Sequence, residues 1–204
     1  ENTIVMKRLL LFLAIISYSL QVNATHLMGG EITWRCIKDP TDPNVGQYIF
    51  SMKLYRDCDG ITLPTSAQFL DVWNHPSISQ IPMDFIGSID ISPDCDVSNS
   101  GNLALDCQSN PIGAVEEYIY QSQPFSLPGV PAANGWHFTW DNCCRNGAIT
   151  NLVLSSTTSP SEGFTLRASM FAYLDPFGNP IPADPCFDNS PKFKILNPKI
   201  LAIC

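Results

Sequence analysis

The sequence predicts an all-β chain, an immunoglobulin-like antiparallel β-sandwich stabilised by disulfides. Three observations predict it. Short apolar runs with a period of two recur between clusters of Pro, Gly, Asn and Asp. Seventeen prolines leave little room for helices, because each removes a backbone donor and clashes inside a helix. Eight cysteines, an even number, all follow what reads as an export signal. With 204 residues, 45% of them hydrophobic and 15% charged, the chain is too apolar and too weakly charged to stay disordered, and it suffices for one ordinary domain and the start of a second.

The strands are justified in order by alternation. Residues 31–37 alternate Ile32, Trp34 and Cys36 with Thr33 and Arg35, and residues 48–55 put Tyr48, Phe50, Met52 and Leu54 on one face. Residues 67–73, 84–91, 116–121, 136–142, 149–154 and 164–174 continue the series. In the last of these Phe164, Leu166, Ala168, Met170, Ala172 and Leu174 keep a period of two throughout. About eight short strands with turn signals between them favour a sandwich over any α/β fold. From residue 175 to 191 the composition changes to DPFGNPIPADPCFDNSP, the profile of a domain edge or linker.

At the N-terminus, Lys7 and Arg8 precede an apolar run from Leu9 to Ile16, and Val22-Asn23-Ala24 offers small residues where a signal peptidase cuts. The expected organisation is a signal peptide over 1–24, with upstream read-through over 1–5 and a natural start at Met6. A β-sandwich domain over 25–187 follows, and 188–204 forms a linker and the start of a truncated next domain. The apolar run up to Leu20 is well short of the roughly 20 residues of a spanning helix, and no later stretch is long enough, so the mature chain is expected to have no transmembrane segment. Eleven basic residues stand against 19 acidic ones, a net charge of −8, and removing the signal makes the chain more acidic still. Such a surface repels phosphate backbones, which excludes nucleic acid as the expected partner.

The cysteines read as a disulfide framework in which Cys36, Cys58, Cys95, Cys107, Cys143, Cys144 and Cys186 are the candidates, with Cys204 assigned to the next domain. Cys95 and Cys107 bracket a polar loop whose local closure would contribute about 3 kcal/mol. Cys143 and Cys144 are adjacent on an expected strand, so their side chains point to opposite faces and need different partners, with Cys58 and Cys36 the nearest candidates. No CxxC pair exists to hold zinc.

Four motifs follow one another in a recognisable order: THLMGGEITWRC from Thr25, KLYRDCDG from Lys53, DNCCRNGAITNL from Asp141 and DNSPKF from Asp188. As a set they resemble the N-terminal module of large Bacteroidetes surface proteins associated with gliding motility and type IX secretion. The resemblance covers most of the mature chain. It implies an exported, adhesive, multidomain protein whose partners are a cell-surface protein or glycan ligand and further domains of the same chain, and it supplies no catalytic residues. The same stretch near Asp188 resembles the DxNDNxPxF linker of cadherin-like repeats, with Asp188, Asn189, Pro191 and Phe193 on matching positions and Phe187 departing from the pattern.

Candidate chemistry is sparse. His26 lies just past the cleavage site, His75 precedes Pro76 in a turn, and His137 sits between Trp136 and Phe138, facing away from them; no serine lies in a GxSxG context. A thiolate at Cys143 or Cys144 near His137 would be the one nucleophile, but in an exported chain those thiols are expected to be oxidised. Arg56, Asp57 and Arg145 read as a hydrogen-bonding set that orders the cysteine region, an arginine fork being able to satisfy carbonyls and a carboxylate together. No catalytic residue and no cofactor is therefore expected, except calcium: Asp184, Asp188 and Asn189 offer oxygen ligands at the domain edge, and Asp90, Asp94 and Asp96 form a second, less complete cluster that lacks the EF-hand pattern. Trp34, Trp136 and Trp140 fall on apolar strand faces and read as core, which leaves Trp73 as the exposed aromatic for a carbohydrate. The function expected is a non-enzymatic structural or adhesive module, and the alternative is a secreted carbohydrate-binding or hydrolytic domain.

Overall fold

The computed structural model describes residues 27–92, 105–142 and 163–191. Nine strands are present among them: β1 (Leu27–Cys36), β2 (Tyr48–Asp57), β3 (Gln68–Trp73), β4 (Gln80–Asp90), β5 (Val115–Gln121), β6 (Trp136–Asn142), β7 (Phe164–Met170), β8 (Tyr173–Leu174) and β9 (Pro180–Ile181). The first seven are hydrogen-bonded in the order β1-β2-β5-β4-β3-β6-β7, every pair antiparallel, and β8 and β9 form a separate hairpin.

That order is the immunoglobulin-like sandwich, with β1, β2, β5 and β4 in one layer and β3, β6 and β7 in the other. Both layers share β4. Its first residues, Gln80 to Met83, pair with β3; from Asp84 onward it pairs with β5, and a bulge between Phe85 and Gly87 marks the change. Bulges and bends are how a strand turns the corner between two sheets.

The core lies where the expected alternation meets itself across the layers. Tyr48, Phe50, Met52 and Leu54 of β2 face Phe138 and Trp140 of β6 and Leu166, Ala168 and Met170 of β7, all of them buried. The rings of Phe50 and Phe138 are 4.7 Å apart and tilted by 57°, and Trp34 of β1 approaches Phe138 at 5.6 Å. Trp34, Trp136 and Trp140 are core residues, as expected. On the side where β1 meets β7, a Cβ on Gly30 would lie 2.6 Å from the Lys53 carbonyl oxygen and 2.7 Å from Leu166 Cδ1. Only glycine lets the two layers close there.

One expectation about elements is corrected. The period-two run over 164–174 is not one strand, because β7 stops at Met170 and the chain re-pairs as the β8–β9 hairpin. Asp175 builds that turn: its carboxylate accepts the backbone N–H groups of Phe177 and Asn179 at 2.8 Å each, and Gly178 takes a φ of 83°. The expected domain edge within residues 175–191 is tied to the sandwich. Cys186 is covalently tied to Cys36, Phe187 is 2% exposed, and Phe187 N–H donates to the Tyr48 hydroxyl at 2.9 Å. The expected strand over 149–154 lies outside the described residues.

A titratable group also belongs to this framework. His75 lies tilted by 51° against Trp136 with ring centroids 4.5 Å apart, and its Nδ1 accepts the backbone N–H groups of Ser77 and Ile78 at 3.2 and 3.1 Å. Nδ1 must be unprotonated to accept both. Burial pushes the imidazole below its ordinary value, against the pull of the Pro128 carbonyl. As pH falls the unfolded chain takes up the proton first, so stability from this group is complete above the ordinary histidine pKa of about 6.5 and is lost as pH falls through the lower folded value. Melting curves from pH 7.5 to 5 will show this decline, and His75→Asn, whose Oδ1 can accept the same N–H groups without titrating, will flatten it. An unchanged slope in the variant would place the titration elsewhere.

Candidate functional site

Antiparallel pairing sends the strand ends to two opposite poles, and each described pole carries one disulfide. At the first, β1 ends in Cys36 beside the start of β2, with Cys36 opposite Tyr48. Cys36 bonds Cys186 across 150 residues, with Cα atoms 6.0 Å apart. The strap around Cys186 then seals the outer edge of β1: Trp34 N–H donates to Ser190 Oγ at 2.8 Å, Asn189 Nδ2 to the Phe171 carbonyl at 2.7 Å, and Lys38 Nζ to Asp188 Oδ2 at 2.7 Å. Covering an edge strand in this way removes a template for unwanted pairing.

At the second pole, β2 ends at Asp57 opposite Val115, the start of β5. Cys58 N–H donates to the Ala114 carbonyl at 3.0 Å, and Cys58 bonds Cys107, with Cα atoms 5.0 Å apart. Both pairings correct the sequence expectation. Cys107 is not closed onto Cys95, because the segment before β5 returns it to the end of β2; and Cys36 and Cys58 are not partners of Cys143 and Cys144, because both are already bonded. Cys95, Cys143, Cys144 and Cys204 lie outside the described residues, as do Arg145, Asp94, Asp96 and His26.

Arg56 organises this second pole, much as the arginine-fork argument expects. The residue is 6% exposed near the end of β2. Its Nη2 and Nε reach Glu116 Oε2 at 2.7 and 2.8 Å, and its Nη1 donates to the carbonyls of Gly60 at 2.9 Å, Asp57 at 3.1 Å and Cys58 at 3.4 Å. The guanidinium also lies 5.7 Å from the centre of the Tyr118 ring. One cation thus fixes the turn that carries Cys58. Asp90 fixes the other half of the bridge: its Oδ2 accepts Cys107 N–H at 2.8 Å and its Oδ1 accepts Ser92 N–H at 2.9 Å, and the Ser92 hydroxyl first of all, with these backbone bonds, holds the carboxyl below the usual carboxylate range.

The three expected calcium ligands lie on the strap. Lys38 Nζ engages Asp188 Oδ2, Asn189 Nδ2 donates to the Phe171 carbonyl while its Oδ1 is buried with no hydrogen-bond partner, and Asp184 is exposed before the Asp184–Pro185 cis bond. Among the described residues no group of three or more His, Cys, Asp or Glu side chains is placed to hold a metal ion.

Two exposed aromatic rings lie on the outer face of the β4–β3–β6–β7 layer; Phe171, Tyr173 and Phe177 are exposed elsewhere. Leu70 and Val72 of β3 point inward, so Phe69, Asp71 and Trp73 point out; Phe69 and Trp73 are 52% and 55% exposed. Trp73 lies opposite His137, and Asp71 lies between Gln80 of β4 and Thr139 of β6. The Trp73 indole N–H donates to Thr139 Oγ1 at 2.9 Å, so the ring leans across β6 and leaves Thr139 only 8% exposed beneath it. His137 faces outward as expected, its Nδ1 sharing a 2.8 Å hydrogen bond with Ser169 Oγ, and burial, reinforced by Arg167, holds its pKa below the ordinary value.

No protein-family model, curated protein or solved structure matches the chain. The fold and its bonds alone define the class: a disulfide-bonded, immunoglobulin-like β-sandwich. Its disulfides belong to an extracellular or otherwise oxidising environment. Among the described residues no helix is long and apolar enough to cross a membrane.

Proposed function

We propose that this chain is a non-enzymatic structural or adhesive module of a large exported cell-surface protein, delivered by the signal peptide over 1–24 and serving in the gliding-motility and type IX secretion setting that its motifs resemble. The observation that carries the reading is the pair of disulfides, one at each pole of a single sandwich, in a chain that begins with a signal-like segment. Cross-links of this kind suit a domain that must stay folded outside the cell. The alternative, a secreted carbohydrate-binding domain, is favoured by the exposure of Trp73, and the two readings meet if the module adheres through a glycan.

The test is location together with redox state. On intact cells, the protein carrying an epitope tag will be shaved by added protease, and the denatured, unreduced protein will leave Cys36, Cys58, Cys107 and Cys186 unalkylated. A chain that is retained in the cytoplasm with these four thiols reduced would remove the reading.

A further inference from the structure

We propose that the outer face of the β4–β3–β6–β7 layer is a binding site for a neutral oligosaccharide, with Trp73 and Phe69 as stacking platforms and Asp71, Gln80, His137 and Arg167 as the hydrogen-bonding groups around them. The inference rests on the adhesive reading above and names the ligand class through which adhesion occurs.

The placement of the two rings carries it. Phe69 and Trp73 stand four residues apart on one face of β3, about 13 Å at strand rise, which is farther than one sugar ring reaches and matches an extended oligosaccharide. Large aromatic side chains more than half exposed on a sheet face are rings kept from the core. Trp73 is also preorganised: its ring plane is set by the bond to Thr139, and its backbone by the register with His137 and by Asn74, which takes a φ of 67° and donates its side-chain amide to the Gly135 carbonyl at 3.1 Å. A ligand meeting a ring already held still loses less freedom on binding.

The groups between the rings select the ligand's chemistry. Asp71 lies between the two aromatics, and its Oδ1 accepts Gln80 Nε2 at 2.9 Å. Across β6, Thr139 pairs with Arg167, and His137 pairs with Ser169, whose hydroxyl occupies Nδ1. An apolar protein anchor laid over this strip would bury the Asp71 carboxylate with only the Gln80 amide to meet it, and the Arg167 guanidinium with it, a costly desolvation. A chain of hydroxyls supplies donors to Asp71 and acceptors to Arg167 from the same surface. Asp84 of β4 and Asp141 of β6 alternate outward as Asp71 does, so the face sets three carboxylates against Arg167, on a protein whose overall charge of −8 repels polyanions. Charge and hydrogen-bonding capacity together fit a neutral polyhydroxyl ligand.

The experiment is native affinity electrophoresis of the purified exported chain in gels containing cellulose ether, xylan, mannan, dextran or laminarin, with alginate and heparin as anionic comparisons. The matching hexasaccharide is then titrated by tryptophan fluorescence. At least one neutral polysaccharide should retard the protein and the anionic ones should not. Trp73→Ala should weaken binding about tenfold or more, Phe69→Ala less, and Trp73→Tyr should keep much of it. Asp71→Asn, which leaves both rings in place, should weaken binding while the near-ultraviolet spectrum and melting temperature stay unchanged, so that a folding defect in the alanine variants is recognised. No retardation by any neutral polysaccharide, retention by the anionic polymers alone, or equal binding by folded Trp73→Ala would overturn the proposal. Surface exposure of the same protein would then still stand, so this failure is distinct from failure of the adhesive reading.

Discussion

Arg56→Ala will destabilise the sandwich by about 3–5 kcal/mol, a loss read from urea denaturation as a lower midpoint at similar slope. The reason is what the substitution leaves behind. Glu116, whose side chain is 16% exposed, keeps its charge but loses its counter-ion, and the carbonyls of Asp57, Cys58 and Gly60 lose a donor at once. Removing one partner of a buried pair costs more than the pair itself contributes, because the remaining charge stays desolvated. Arg56→Lys will recover only part of the loss, since an ammonium cannot span a carboxylate and three carbonyls in the geometry of the fork. A loss below about 1 kcal/mol in the alanine variant would mean that the turn after β2 is held by the Cys58–Cys107 bond without the guanidinium.

Cys186→Ser will lower stability by about 2–5 kcal/mol, the upper end being favoured because the bond closes a loop of 150 residues and so constrains the unfolded chain strongly. The loss will also be local. Without the bond, the strap over residues 182–191 remains attached through non-covalent contacts of Phe187, Asp188, Asn189 and Ser190, and protease will cut there before the sandwich unfolds. Limited proteolysis followed by mass spectrometry locates the first cut. The double variant Cys36→Ser with Cys186→Ser should behave as the single one does; cleavage that begins instead between β2 and β3 would show that the strap is not the part released.

The strands were legible because a half-buried strand writes its burial into every second residue. Over β2 the inward Tyr48, Phe50, Met52 and Leu54 are all buried and the residues between them are not, as the alternation requires. Where the signal failed, a physical reason is visible. Pro82 interrupts the alternation at the start of β4, yet there the strand is the margin of its layer, where proline is tolerated, so β4 begins at Gln80 and not at residue 84. Gly29 and Gly30 hid the start of β1, although Gly30 is what lets β7 approach. Trp73 was legible as an exposed ring, and Phe69, four positions earlier in the same expected strand, shares its face by the same alternation. The disulfide partners were not legible, since they depend on which strand ends return to the same pole. Lys38 likewise reaches Asp188 from 150 positions away, which no local acidic pattern could reveal.

The bond between Cys36 and Cys186 has a mechanical consequence. Tension applied between residues 27 and 191 enters through β1 and leaves through the strap, and the cross-link carries it directly from one to the other. The chain between the two cysteines, which stand 150 positions apart, is about 500 Å if drawn out straight and lies outside the load path. Pulling can peel the first residues of β1 from β2 and lift residues 187–191, but it cannot unravel β2 to β7 while the covalent bond holds. The sandwich is thus a bead hung on a tether, bearing its outer faces without bearing the load, and its resistance to stretching is that of a covalent bond.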